Sequence, residues 1–264
     1  MTSDYLPGEN ATATDQLPVA RTMTSDHLPR AHPIFYATMA AMTLKTIELE
    51  TAPDPRATIL LMHGLGADGN DFVPIAGQLN LAKVGPVRFV FPNAPVMPVT
   101  INGGMRMPAW YDISNADLTQ REDEGGLRAS QAALEVLLAR EKERGIPASR
   151  IVVAGFSQGC AMALMTGLRH GQALAGIVGL SGYLPLASTT AAECHLANAT
   201  TPIFLAHGQQ DGVVPIARAS ASRDVLLGLG YSVDWHAYPM AHSVCMQEIA
   251  DLGQWLNKVL AIQA

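Results

Sequence analysis

Polar and apolar positions follow two periods along this chain, and the changes of period mark out its elements. From Leu44 to Glu50 the residues alternate, with Leu44, Thr46, Glu48 and Glu50 on one side and Lys45, Ile47 and Leu49 on the other. That period of two predicts an edge strand. Ala57 to Met62, Val87 to Phe91, Ile151 to Ala154, Leu174 to Leu180 and Pro202 to Ala206 are continuous apolar runs. Such runs predict strands buried on both faces of a parallel sheet. Tyr231 to Tyr238 alternates again and predicts the last strand. Leu127 to Arg144 carries Leu127, Leu134, Leu137 and Leu138 on one helical face and stops at Gly145 and Pro147. Cys160 to His170, Ile216 to Leu229 and a C-terminal segment are also helical. Strands alternating with helices in this way predict an α/β fold, with a mostly parallel central sheet and helices on both faces.

One junction in this series has chemical content. The run Ile151 to Ala154 passes without a spacer into Gly155-Phe156-Ser157-Gln158-Gly159 and then into the helical segment. A Gly-x-Ser-x-Gly turn between a strand and a helix forces the serine into strained backbone, requires small neighbours, and pushes the side chain out above the sheet edge. The Gln158 N–H, at the helix start, faces the same way with the positive end of the helix dipole behind it, ready to hold an oxyanion.

A second glycine-rich turn follows the strand Ala57 to Met62, in His63-Gly64-Leu65-Gly66-Ala67-Asp68-Gly69. Gly64, Gly66 and Gly69 match the dinucleotide pattern Gly-x-Gly-x-x-Gly, but the acid that would hold a ribose is missing: Lys83 to Asn93 contains no Asp or Glu. Pro74 also interrupts the expected phosphate-binding helix. The better reading makes this the loop opposite the serine, with the Leu65 N–H completing an oxyanion hole and His63 only bracing the turn. From Pro92 to Asp123 there is no strong periodicity and many turn formers, so this stretch reads as a long functional loop. Within it, Met107 and Trp110 are candidates to line an acyl pocket.

A serine hydroxyl is a poor nucleophile at neutral pH and needs a histidine base and an acid that fixes the tautomer. In the order Ser, acid, His, Asp211 is the acid that lies in a loop just beyond a strand, within His207-Gly208-Gln209-Gln210-Asp211-Gly212. Asp224 falls in a helix, Asp234 in a strand, and Glu193 precedes any suitable strand end, lying with His195 on a loose surface segment from Ser181 to Thr201. Glu248 and Asp251 follow the best histidine. His236 shares a solvent-facing side with Asp234, and His207 braces its own loop. His242, in a loop between the last strand and the last helix, can swing over Ser157.

Composition narrows the alternatives. The 264 residues are 48% hydrophobic, enough for one sizeable core, and 17 Lys and Arg stand against 23 Asp and Glu with no basic run. A nucleic-acid or anionic-membrane partner is not expected, nor is integral membrane association, and the substrate should be a small ester or thioester. Three cysteines without ligand spacing, Cys160, Cys194 and Cys245, read as buried reduced thiols of a cytoplasmic protein. No metal or cofactor is required. Met1 to about Ala40 lacks an apolar periodicity and repeats MTSDYLP as MTSDHLP. Residues 1–40 therefore read as a disordered extension, or as sequence upstream of the real start, ahead of one domain, 41–264.

Four stretches, HGLGADGNDF, GFSQGCAMAL, HGQQDGVVP and YPMAHSVC, together with FPNAP and PAWYDI, resemble the carboxylesterase/phospholipase family of α/β-hydrolases, which includes acyl-protein thioesterases and small bacterial carboxylesterases. The resemblance runs from about Leu44 to the C-terminus. It implies Ser157 as nucleophile, Asp211 as acid, His242 as base, and Leu65 with Gln158 as oxyanion hole. Ala241 stands where many members have glycine. The expected activity is hydrolysis of carboxylic esters of short to medium acyl chains, with acyl-protein thioesterase or lysophospholipase activity as the alternative. A catalytically silent ligand-binding hydrolase fold is the competing reading from another class.

Overall fold

The computed structural model describes residues 43–115 and 122–261. The expected N-terminal extension, 1–40, lies outside the described residues. Seven strands form the main sheet: β1 (Thr46–Glu50), β3 (Val87–Pro92), β2 (Ala57–Met62), β6 (Ile151–Phe156), β7 (Gly176–Leu180), β8 (Ile203–Gly208) and β9 (Val233–Tyr238), in that spatial order. β1 pairs antiparallel with β3 and every other neighbour is parallel. The apolar runs explain the order. β2, β3, β6, β7 and β8 are buried along their full lengths, apart from half-buried Phe156, whereas β1 and β9 alternate and occupy the edges.

Two apolar layers flank this sheet. On one side α2 (Glu124–Glu143) and α3 (Gln158–Arg169) supply Leu127, Leu134, Leu137, Met162, Leu164 and Met165 to one core. On the other, α1 (Val73–Gln78) and α6 (Met246–Val259) pack Ala76, Leu252, Trp255 and Leu256 against Ile59, Phe89, Val178 and Phe204. The remaining helices are α4 (Ala187–Glu193) and α5 (Ile216–Gly228).

Three local expectations are revised. The long loop after β3 contains a hairpin, β4 (Val96–Val99) with β5 (Met105–Pro108), turned by Gly103 and Gly104 at positive φ. Its buried residues Met97 and Val99 pack with Ala109 and the half-buried Leu65 and Met107, which sets the hairpin against the loop that follows β2. Ser181 to Thr201, expected to be a loose surface segment, is instead built in. Ser181 to Leu186 are buried, and Glu193 bonds to Arg128 and Arg169, which hold its carboxyl down at about 2. Of the three thiols only Cys160 is buried, with its pKa pushed up by desolvation to about 12; Cys194 and Cys245 are half-buried.

Candidate active site

The strand β6 delivers Ser157 to the C-terminal edge of the sheet, and the helix α3 starts at the next residue. Ser157 has φ 55 and ψ −116, strained backbone for a residue with a Cβ. The flanking glycines are explained by contact. A Cβ on Gly155 would strike the Gly159 carbonyl, and one on Gly159 would strike the Met62 and His63 carbonyls at the end of β2. Backbone on both sides leaves no room to yield. Gly159→Ala is therefore expected to destabilise the protein by about 1–3 kcal/mol, as overpacking does, and to lower the thermal midpoint together with any reactivity of Ser157. A Gly159→Ala protein with an unchanged midpoint would contradict this account of the turn.

The three residues singled out as triad candidates come together. The loop after β8 places Asp211, and the loop after β9 places His242. His242 Nε2 lies 2.9 Å from Ser157 Oγ, and His242 Nδ1 lies 2.7 Å from Asp211 Oδ2. The Phe156 ring, 4.8 Å away centroid to centroid, supports the imidazole. Asp211 Oδ1 accepts the N–H groups of Val213 and Val214, each at 2.8 Å. Burial alone would raise its pKa. The hydrogen bonds from His242, Val214 and Val213 outweigh that and hold the carboxyl below its ordinary value, so it is an anion at neutral pH. With Asp211 accepting at Nδ1, the proton of neutral His242 sits on Nδ1 and Nε2 is free to take one from Ser157.

The two expected oxyanion donors both belong to backbone beside Ser157. Among the described residues no acceptor takes the N–H of Leu65 or of Gln158, while the next residue, Gly66, donates to Pro108 O on the hairpin. A Cβ on Gly64 would lie 3.3 Å from Ser157 Cβ, so this loop runs directly beside the serine. Gly69 serves packing instead, since a Cβ there would press on Phe91 O at 2.8 Å. The 3-10 turn Gly69–Phe72 and then α1, with Pro74 in its first turn, follow where a phosphate-binding helix would have begun.

The other histidines are engaged elsewhere. His63 Nδ1 donates to Gly64 O at 2.7 Å and Nε2 accepts from Ala94 N at 3.0 Å, so the ring is neutral, and burial lowers its pKa. His207 Nε2 donates to Val214 O at 2.8 Å and lies 3.3 Å from Asp211 Oδ2, tying the acid loop to β8. His236, expected on an exposed face, stacks between Phe204 and Tyr238 and pairs with Asp234.

Trp110 corrects one expectation. The residue is fully buried and offers no surface to a substrate; its Nε1–H donates to His63 O at 2.9 Å, its N–H donates to Gln158 Oε1 at 2.8 Å, and its carbonyl accepts from Ser130 Oγ. Met107 remains half-buried, with its sulfur beside Gly66. The Gln158 side chain carries a feature that the motif does not reveal, because its partners lie some 47 residues earlier in the chain: Nε2 donates to Tyr111 O at 2.7 Å.

A sheet of this order, with a serine at a strained turn after its central strand, defines an α/β-hydrolase. The chain belongs to the phospholipase/carboxylesterase family, which it matches over residues 45–260. It is 42% identical over 207 residues to acyl-protein thioesterase 1 of Yarrowia lipolytica, covering 76% of this chain and 91% of that one. To acyl-protein thioesterase 1 of Neurospora crassa it is 41% identical over 213 residues, covering 77% and 87%. Among solved structures it resembles acyl-protein thioesterase 2 of Zea mays, with a TM-score of 0.72 and 30% identity over 82% of this chain and 99% of that one. SOBER1 of Arabidopsis thaliana gives a TM-score of 0.74 at 28% identity, over 78% and 99%. The protein is thus a hydrolase of the esterase and thioesterase class. No helix among the described residues is long and apolar enough to cross a membrane.

Proposed function

We propose that the protein hydrolyses acyl thioesters and carboxylic esters through an acyl-enzyme on Ser157. The observation that carries this reading is the unbroken hydrogen-bonded line from Asp211 through His242 to Ser157, at 2.7 and 2.9 Å, on the strained turn. Ser157 Oγ attacks the acyl carbon as its proton passes to His242 Nε2; the carbonyl π bond opens, and the oxyanion takes the N–H groups of Leu65 and Gln158. The tetrahedral intermediate collapses, and the leaving thiol or alcohol carries away the proton from His242. Water then attacks the acyl-serine by the same path in reverse order, with His242 first as base and then as acid, releasing the carboxylic acid and restoring Ser157. Asp211 stays ionised throughout and balances the imidazolium.

The finer assignment shifts from the expected carboxylesterase towards a thioesterase, because relatives about 40% identical over most of both chains carry the name acyl-protein thioesterase. The half-buried Leu65 and Met107, backed by the buried Met97, Val99 and Ala109, present apolar surface at the oxyanion loop and favour an acyl chain there. Met107 is assigned to that contact. Three free thiols fit action in the reducing cytoplasm.

Labelling with a fluorophosphonate, mapped by mass spectrometry, is expected to modify Ser157. Thioesters and p-nitrophenyl oxyesters of matched and graded chain length are expected to be hydrolysed, with a chain-length optimum and higher kcat/KM on the thioester series. Folded protein that neither labels nor turns over would favour the silent binding-protein reading; labelling with faster oxyester turnover would return the carboxylesterase assignment to first place.

A further inference from the structure

The two oxyanion donors belong to loops that the sequence keeps far apart, Leu65 after β2 and Gln158 after β6. Catalysis by the proposed mechanism requires both N–H groups to converge on one oxygen, and a misplacement of about 1 Å can cost about 100-fold in rate. A chain of buried side-chain bonds joins the two loops. The Gln158 side chain, 3% exposed, accepts the Trp110 N–H through Oε1 and donates from Nε2 to the Tyr111 carbonyl. From the same Trp110, the indole Nε1–H donates to the His63 carbonyl, two residues before Leu65. His63 in turn fixes Gly64 O through Nδ1 and the backbone after β3 through Nε2.

We infer that the side chains of Gln158 and Trp110 are positioning residues that set the separation between the Leu65 and Gln158 N–H donors. The inference rests on the hydrolase reading above and gives Gln158 a second role, distinct from its backbone N–H. The bonds are suited to this. A primary amide holds its NH2 donor group and its oxygen acceptor in one fixed plane, and here each is engaged, on the backbone of two adjacent residues. The indole adds a single donor on a rigid, fully buried frame, its ring 5.3 Å from the His63 ring. Each bond is buried, so its loss leaves an unsatisfied polar group and moves the segment instead of being replaced by water.

A positioning role differs from a packing role in what it changes. Movement of the donors weakens the tetrahedral state and leaves ground-state binding of the acyl chain intact, so kcat falls and KM does not. The affinity for an acyl trifluoromethyl ketone, which adds to Ser157 Oγ, passes the proton to His242 and places a real oxyanion between the donors, must fall with kcat. Trp110→Phe keeps the ring and removes Nε1–H. It is expected to lower kcat about 10-fold, raise the ketone Ki by a similar factor and leave KM within about twofold, as expected when an oxyanion donor is displaced but not deleted. Gln158→Met keeps the length of the side chain and removes both bonds, and is expected to lower kcat and ketone affinity about 100-fold.

Wild-type protein and Ser157→Ala run beside these variants. Ser157-dependent turnover in the wild type with unchanged kcat and ketone Ki in Trp110→Phe overturns the inference alone. Absence of Ser157-dependent turnover in folded wild-type protein overturns the hydrolase reading and the inference together. If Gln158→Met does not fold, Trp110→Phe decides, because ring packing is retained; a drop in kcat with unchanged ketone Ki assigns these side chains to stability and also overturns the inference.

Discussion

Ser157→Ala is expected to lower turnover of a thioester or oxyester by about 10⁴-fold or more, with the thermal midpoint held or raised. Both halves of this result come from the same atoms. The hydroxyl is the proposed nucleophile, so its removal leaves only binding and the oxyanion donors to act on water. The residue also sits at φ 55, where every side chain larger than hydrogen is strained, so alanine keeps the same strain as serine while removing a polar atom from a half-buried site. Asp211→Asn is the informative companion. Asparagine can present an N–H to His242 Nδ1 and stabilise the tautomer with the proton on Nε2, which faces Ser157 and cannot accept; a loss of about 10⁴-fold follows. That loss should fall more heavily on oxyesters, because an alcohol needs the proton from His242 to leave, whereas a thiol with a pKa near 8.5 departs readily as thiolate. Paired kcat measurements on oxyester and thioester decide it. An Asp211→Asn variant equally impaired on both substrates would mean that leaving-group protonation is not the step Asp211 supports, and a Ser157→Ala variant that keeps more than about one part in 100 of its turnover, far above that ~10⁴-fold loss, would remove Ser157 from the mechanism altogether.

The core of this architecture is legible along the chain because its signals are local. Apolar runs that are buried on both faces leave little freedom in placing β2, β3, β6, β7 and β8, and Gly155-x-Ser157-x-Gly159 is a steric requirement of a strand turning into a helix. Asp211 and His242 are reachable by elimination, since the acids and histidines nearby fall within helices or strands. What escapes is set by distance in sequence or by weak patterns. The hairpin is one case: Pro98 and Pro108 sit in strands of only four residues, and prolines ordinarily argue against a strand. The short helix α4, ASTTAAE, has no apolar stripe and is held by Glu193 with Arg128 and Arg169 from other elements. Trp110 reads both as a candidate pocket lining and as a ring packed under its loop, the commoner fate of a single tryptophan, and its burial depends on His63 and Gln158, neither of which is its neighbour in sequence.

Glu248 is a fourth case, and the one with the largest consequence for stability. In the first turn of an amphipathic helix a glutamate reads as a favourable surface residue, complementing the helix dipole. Here it is wholly buried, in a small apolar cavity with Ile59, Leu61, Phe89, Val178, Leu180 and Leu252, and neither carboxyl oxygen has a well-formed hydrogen bond among the described residues. Burial pushes its pKa up to about 8, against a weaker opposing pull from the Cys245 backbone. In the unfolded chain the group titrates near 4.3. Because the folded state holds the proton more tightly, the stability linked to this site is fully present below about pH 4.3 and is lost progressively as pH rises towards 8, at up to about 1.4 kcal/mol per unit. Glu248→Gln removes the titration and keeps the shape. It is expected to be more stable than the wild type by about 2–4 kcal/mol at pH 8.5, a rise in thermal midpoint of about 5–10 °C for a domain of this size, and to differ little from it at pH 5. Thermal melts of both proteins across that range, read as the difference between them, isolate this one group from every other that titrates. A constant difference from pH 5 to 8.5 would show that Glu248 keeps the same charge in both states, and a less stable Glu248→Gln at pH 8.5 would show that its carboxylate has a partner. Since α6 begins four residues after His242, the same substitution also tests how firmly the loop carrying the base is anchored: a stiffer helix start should leave kcat at pH 7 unchanged and slow thermal inactivation.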